Sequence, residues 1–142
     1  SLEQYEKAVS EINAFKEKMG STFITVEDRA RLNLAAGIID RYEYQQKINT
    51  YCAELHVIKL NGIAIATNPF ELFLDYGLHT KARSKAEQTF IIQLACDAAG
   101  YLPTERAEKG SHYSAYVTSG ITGHQGGNIL TSKTLDIINS LF

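Results

Sequence analysis

The residues best suited to chemistry lie in two short segments, each of which begins where a predicted strand ends. One segment covers residues 64–71 and contains Glu71, and the other covers residues 99–105 and contains Tyr101, with Tyr113 following it. Ligands of open α/β sheets bind in the crevice outside the carboxyl ends of the strands. We therefore expect the Glu71 carboxylate and the Tyr101 phenol to point into one crevice.

Both residues also have a purely structural interpretation, which the sequence leaves open. A helix is predicted to open with Asn68 at its N-cap and Pro69 at its first position, so Glu71 would be the third residue of a capping box. Tyr101 would then serve only to anchor a loop, with an apolar ring and a polar hydroxyl.

The histidines do not form a metal-binding motif on their own. Four occur in the chain: His56, His79, His112 and His124. They are spread over a strand, a helix end and a long loop, without H-x-x-x-H or H-x-H spacing. His56 is most simply a sheet-face residue, and His79 a partner of a helix dipole. We therefore do not expect a self-contained zinc site. The G-x-S-x-G elbow and the P-loop are also missing from the sequence, so a nucleophile elbow and a nucleotide site are not expected either.

The first part of the chain predicts two helices. Apolar residues at helical spacing predict a helix over residues 1–19. Thr25, followed by Asp28 three residues later, marks the capped start of a second helix that ends near Lys47.

The remainder of the chain predicts a layered α/β sheet. Asn61-Gly62 is a strong hairpin signal, and it predicts two antiparallel strands within residues 50–67. A helix from Asn68 to about Ala82 leads to an apolar run, Thr89–Cys96, which is typical of a central strand covered on both faces. Strand, helix and strand in this order predict a right-handed crossover between parallel strands.

Residues 97–128 show little periodicity, and we expect a long loop rich in glycine and tyrosine before a C-terminal helix from Thr131 to Phe142. A loop of this length usually carries function or disorder. The two cysteines, Cys52 and Cys96, lie in apolar runs without C-x-x-C spacing and are expected to be free, buried core residues.

Composition excludes several classes of partner. The chain has 142 residues, with 16 acidic residues against 14 Lys and Arg, for a net charge of -2. It has no basic block long enough for phosphate contacts, and no apolar run approaches the roughly 18 residues that a membrane span requires. We therefore expect neither a nucleic-acid partner nor a transmembrane segment.

Taken in order, the motifs resemble those of the neutral/alkaline (non-lysosomal) ceramidases and their bacterial ceramidase-like relatives, zinc-dependent amide hydrolases of lipid metabolism. The resemblance covers roughly residues 55–128. In that family a strand runs into a turn with proline and glutamate, here Pro69-Phe70-Glu71. The next strand ends in a Gly-Tyr motif, here Gly100-Tyr101, with a further tyrosine twelve residues later, here Tyr113.

The resemblance implies roles for three residues. Glu71 and Tyr101 would be zinc ligands, and Tyr113 would be a catalytic residue that reaches the amide oxygen of the substrate. Zinc binds carboxylate oxygens readily, and it stabilises the phenolate form of a tyrosine. A neutral Tyr113 hydroxyl would stabilise the oxyanion by about 2 to 4 kcal/mol. The family's remaining zinc ligands are two histidines far upstream, which no histidine of this chain matches.

Several positions that shape the family's pocket differ in this chain. Ala98 stands where tyrosine is common, residues 106–108 read Arg-Ala-Glu in place of an acidic-aromatic run, and Ser114-Ala115 replace Glu-Gly. The resemblance therefore implies an amide or lipid-like small substrate, without implying ceramide itself.

On this basis residues 1–142 are expected to form a single domain that is the C-terminal part of a larger hydrolase. Residues 1–48 would be the helical pair, and residues 49–142 the α/β part that carries half of the zinc site. The partner would be the upstream half of the same polypeptide, without which the chain would be inactive. The family implies a secreted or periplasmic location.

Two other functions compete with this interpretation. The first is a non-catalytic α/β module that binds a partner or a sugar through residues 97–128, with Glu71 only a helix cap. The second is a free-standing enzyme with His112 or His124 as its base, for which the spacing supplies neither a nucleophile nor a partner carboxylate. The distance between the Glu71 and Tyr101 side-chain oxygens discriminates the zinc site from the binding module. A shared zinc ion needs both oxygens at about 2 Å, and hence within about 5 Å of one another, whereas a separation beyond about 10 Å would favour the module.

Overall fold

The structure is a computed structural model that describes residues 1–18 and 25–142. The chain divides into two compact units, Ser1–Thr50 and Tyr51–Phe142. The described residues combine helices with a small mixed sheet, which confirms the predicted α/β class. Among them, no helix is both long and apolar enough to cross a lipid bilayer.

The first unit is the predicted helical pair, α1 (Leu2–Lys18) and α2 (Val26–Lys47). The helices are antiparallel, because the ring of Tyr5 near the start of α1 lies 4.6 Å from the ring of Tyr42 near the end of α2. Met19, the predicted end of the first helix, lies outside the described residues.

The capping box of α2 is confirmed. The Thr25 side chain accepts a hydrogen bond from the Asp28 N–H, and the Asp28 carboxylate accepts one from the Thr25 N–H. Two donors that a helix start leaves without partners are thereby satisfied, and such a cap contributes about 1 kcal/mol.

The second unit holds five strands and three α-helices, with a short 3-10 helix (Tyr113–Ala115) in the connection between the last two helices. They are β1 (Val57–Leu60), β2 (Ile63–Thr67), β3 (Glu71–Leu72), α3 (Leu74–Arg83), β4 (Gln88–Ile92), β5 (Tyr101–Leu102), α4 (Glu105–Gly110) and α5 (His124–Leu141). Strands β1 and β2 form the predicted antiparallel hairpin, and β2 pairs in parallel with β4 after the crossover through α3. Strands β3 and β5 form a second, parallel pair.

Two apolar clusters hold the second unit together. In the first, Ala64 and Ala66 of β2 are buried against Ile138 of α5, because small side chains let the helix approach the sheet closely. In the second, Phe70 and Leu102 are buried with Tyr76 of α3, whose hydroxyl donates to the Pro103 carbonyl at 2.9 Å. Ala99 is the remaining buried member of the second cluster.

The predicted helix start at Asn68 is wrong, since α3 begins at Leu74. Asn68 forms a turn instead, in which its side-chain oxygen accepts the Phe70 N–H at 3.0 Å. Glu71 is therefore a strand residue, whose N–H donates to the Gly100 carbonyl at 2.9 Å. Pairing with a distant segment of the chain overrides the local helix-start pattern.

The prediction of a central strand over Thr89–Cys96 is also wrong. Strand β4 is shorter, and it lies at the edge of the sheet, with β2 in the centre. Phe90 is 46% exposed and Ile92 is 44% exposed, so an apolar run does not by itself show that both faces of a strand are covered.

Two further expectations about the second half of the chain are corrected. Cys52 and Cys96 are both free, as predicted, but they are exposed rather than buried. Residues 97–128 are not one loop, because they include β5, α4 and the first turns of α5, which begins at His124 rather than at Thr131. Glycines in the first turn of α5 have low helix propensity, so the sequence pattern did not predict a helix there.

The register between the parallel segments changes at Asn68. Before it, Thr67 pairs with Ile92, and after it, Glu71 pairs with Tyr101, so residues of the second segment are looped out between the two pairs. We call residues 93–98 the excursion. The Asn68 side chain is 3% exposed, and its amide donates to the Ile92 carbonyl at 3.3 Å.

We expect Asn68→Ala to destabilise the chain by about 2 to 3 kcal/mol. The substitution removes two hydrogen bonds and leaves the Phe70 N–H without its acceptor beside a buried turn. Urea unfolding followed by circular dichroism measures the change. The matched control is Asn49→Ala at an exposed position, expected to change stability by less than about 0.5 kcal/mol. Equal stability of the two variants would contradict the role given to Asn68.

Candidate functional site

The structure brings Glu71 and Tyr101 together as paired residues of β3 and β5. They are direct partners in the parallel register, so their side chains leave the same face of the two-stranded sheet. Both are partly exposed. The two side chains are close enough to interact through a hydrogen bond, so they are not separated by about 10 Å or more, the distance that would favour a binding module.

Two glycines allow the backbone of Tyr101 to be held closely from both sides. Gly100 has a φ of 68°, in the left-handed region, and a Cβ on Gly120 would lie 2.0 Å from the Tyr101 carbonyl oxygen. Neither position accepts a larger residue without a shift of the backbone. The Tyr101 N–H donates to the Ser119 carbonyl at 2.9 Å, which fixes the strand end that carries the phenol.

Tyr113, the predicted catalytic residue, lies beside Tyr101. The two rings meet edge to face, with centroids 5.8 Å apart, and Tyr113 is 67% exposed. Ser119 holds both tyrosines, because its carbonyl accepts the Tyr101 N–H and its hydroxyl donates to the Tyr113 carbonyl. The role of Ser119 could not be predicted from the sequence, since it depends on two contacts made across a turn.

The Tyr101 phenol is held in its neutral form. Hydrogen bonding to Tyr113 and then to Glu71 raises the pKa of Tyr101 to about 12. The negative charge of the Glu71 carboxylate acts in the same direction. Without a cation, Tyr101 is therefore a neutral phenol at neutral pH.

The donor set fits part of a zinc site. Glu71 offers a carboxylate oxygen, and Tyr101 offers a phenol oxygen that a divalent cation can convert to phenolate. A zinc site needs three or four protein ligands, so these two residues supply about half of one. Two of the histidines bond to other carboxylates: His56 to Glu54 and His124 to Glu108.

The pair of His124 and Glu108 was not predicted from the sequence. His124 Nδ1 lies 2.6 Å from one Glu108 carboxylate oxygen, and the His124 N–H donates to the other at 2.7 Å. Glu108 therefore caps the N-terminus of α5, where a negative charge is favoured by the helix dipole. The two residues lie on different helices, so the spacing could not reveal the carboxylate partner of His124. Capping of the helix therefore accounts for the contact between His124 and Glu108.

No protein-family model, curated protein or solved structure matches the chain. Its function is therefore inferred from the geometry of its own residues.

We expect Glu71→Gln to lower the pKa of Tyr101 from about 12 toward 10, because it removes the negative charge that favours the neutral phenol. The ¹³Cζ resonance of Tyr101 in tyrosine-labelled protein, assigned with Tyr101→Phe, reports the titration. Tyr113→Phe should lower the same pKa, because it removes the other hydrogen-bond partner.

The Tyr76 resonance is the internal control for this titration. Burial, Glu108 and Asp75 raise the pKa of Tyr76 to about 12, so substitution of Glu71 should leave it unchanged. A Tyr101 pKa of 10 in the unsubstituted chain, or no change in Glu71→Gln, would show that the two side chains do not interact.

Proposed function

We propose that this chain carries half of the metal site of a zinc-dependent amide hydrolase that resembles the ceramidases. In this proposal Glu71 and Tyr101 are zinc ligands and Tyr113 contacts the amide oxygen of a linear amide or lipid-like substrate. The observation that supports it best is the pairing of Glu71 with Tyr101 in adjacent strands, with the ring of Tyr113 5.8 Å from that of Tyr101.

The chemistry follows from the state of each side chain. Zinc in such a site polarises the carbonyl group of the substrate and activates water for attack on it. Glu71 would supply a carboxylate oxygen as ligand, and Tyr101 would release its phenol proton to solvent and bind as phenolate. The Tyr113 hydroxyl would donate a hydrogen bond to the oxygen on which negative charge develops, a contribution of about 2 to 4 kcal/mol.

The missing half of the site would come from an upstream segment of the same polypeptide, which would contribute two histidines. An exposed row of apolar side chains on the sheet supports this proposal, because a further segment of the polypeptide would cover it. Ile58, Ile65 and Phe90 are paired across β1, β2 and β4, and Ile58 and Phe90 are 54% and 46% exposed. Apolar sheet faces are normally covered by other elements.

The half site should bind zinc weakly in the present chain. We expect the binding that depends on Glu71 and Tyr101 to be no tighter than about micromolar, because a closed or catalytic zinc site uses at least three protein ligands. Calorimetric titration of the chain and of its Glu71→Gln variant isolates this component. If the chain bound zinc with nanomolar affinity and Glu71→Gln abolished this binding, the proposal that the site is incomplete would be contradicted.

In the longer polypeptide, Glu71→Gln and Tyr101→Phe should each abolish metal-dependent amidase activity. Zinc binding near pH 8 should also release about one proton that Tyr101→Phe does not release, because the phenol must ionise to bind. Calorimetry in buffers of different ionisation enthalpy counts this proton, independently of activity.

The chain offers matched controls for these variants. Glu87→Gln changes a carboxylate next to the amino end of β4, and Tyr44→Phe changes a phenol that is 52% exposed in the helical unit. Both should retain activity. Full activity in Glu71→Gln or Tyr101→Phe would remove that residue from the site.

A further inference from the structure

Three side chains of different chemistry meet at a second place in the sheet unit. Glu54, His56 and Cys96 each have a ligand atom within 4.8 Å of the ligand atoms of the other two. The closest pair is His56 Nε2 and a Glu54 carboxylate oxygen, at 2.6 Å. All three residues are exposed, so an ion from solvent can reach them.

The backbone of His56 is fixed on the end of the central strand. Its N–H donates to the Thr67 hydroxyl at 3.1 Å, and its carbonyl accepts the Thr67 N–H at 2.9 Å. Glu54 lies two residues earlier, so both side chains stand at the end of β2 where the register changes.

Cys96 reaches this position because it belongs to the excursion. It has a φ of 69°, in the left-handed region that a residue with a side chain adopts at a cost. Its neighbours are anchored: the Ala95 N–H donates to the Asn68 carbonyl at 3.0 Å, and the Asp97 carboxylate accepts the Tyr51 hydroxyl at 2.7 Å. The thiol is therefore presented by a backbone that is held on both sides.

We propose that Glu54, His56 and Cys96 form a zinc site, separate from Glu71 and Tyr101, with a fourth position open to water. Thiolate, imidazole and carboxylate are the three ligand types that zinc accepts, and three protein ligands with an open position are typical of an accessible zinc ion. Bonds of about 2.0 to 2.3 Å at tetrahedral angles place ligand atoms roughly 3.3 to 3.8 Å apart. The three ligand atoms lie within 4.8 Å of one another, and the side chains are exposed. Rotation about side-chain bonds would bring them to this spacing, with the Glu54 oxygen moving away from His56 Nε2, from which it now lies 2.6 Å.

Charge also favours this ion. On binding, Cys96 loses its thiol proton to solvent, and His56 exchanges its hydrogen bond to Glu54 for a bond to the metal. The thiolate and the carboxylate then carry two negative charges, which balance the two positive charges of zinc. A divalent ion would also join the start of β1 to the excursion, and so restrict the connection that leads to Tyr101.

Cobalt(II) titration of the reduced chain tests the proposal, because cobalt replaces zinc and a cobalt–thiolate bond gives a charge-transfer absorption. We expect this absorption to appear on addition of cobalt and to disappear when zinc is added in competition. Cys96→Ser should abolish it. His56→Ala should weaken cobalt affinity by at least about tenfold, since one of three ligands is lost.

The controls separate this site from the half site of the proposed hydrolase. Cys52→Ser removes the other exposed thiol and His79→Ala another exposed histidine, and both should retain the absorption. Glu71→Gln should retain it too, because Glu71 and Tyr101 contain no sulfur. Absence of the absorption at millimolar cobalt, or its persistence in Cys96→Ser, would overturn the proposal while leaving the proposed hydrolase untouched.

Discussion

The arrangement of the α/β unit depends on one buried amide, that of Asn68. Its side-chain oxygen accepts the Phe70 N–H within the turn between β2 and β3, and its side-chain NH2 donates to the Ile92 carbonyl of β4. A polar group at 3% exposure is tolerable only when it is bonded in this way. Those bonds end one parallel ladder at Ile92 and allow a second to begin at Glu71, so the amide determines which residues of the later segment stand beside the carboxylate.

The fold class, the helical pair and the hairpin were predictable because their signals are local. Thr25 with Asp28 and the Asn61-Gly62 turn specify their conformations from a few neighbouring residues. The start of α3 was not predictable, because the Asn68 turn satisfies the same backbone donor that a helix cap would satisfy. The outcome was decided by hydrogen bonds from Glu71 and Phe73 to Gly100 and Leu102, about thirty residues away.

The candidate site was predictable in its members but not in its electrostatics. The order of the strands predicts that Glu71 and Tyr101 lie at one edge. The pKa of Tyr101, by contrast, depends on the hydroxyl of Tyr113, which a turn and its hydrogen bond to Ser119 place beside Tyr101. Cys96 was misplaced for a related reason. The apolar run Thr89–Cys96 predicts a continuous buried strand, whereas the interruption that exposes the thiol follows only from the register on both sides of it.

The excursion, which connects the two sheets, is also expected to tolerate evolutionary change better than the paired strands on either side of it. Because residues 93–98 lie outside both ladders, insertions or deletions there leave the pairs Thr67–Ile92 and Glu71–Tyr101 intact. Selection can therefore vary the length and chemistry of this connection, including the thiol that it presents, while the carboxylate and phenol keep their register. Homologous chains should accordingly differ in length at this connection more often than within either strand pair.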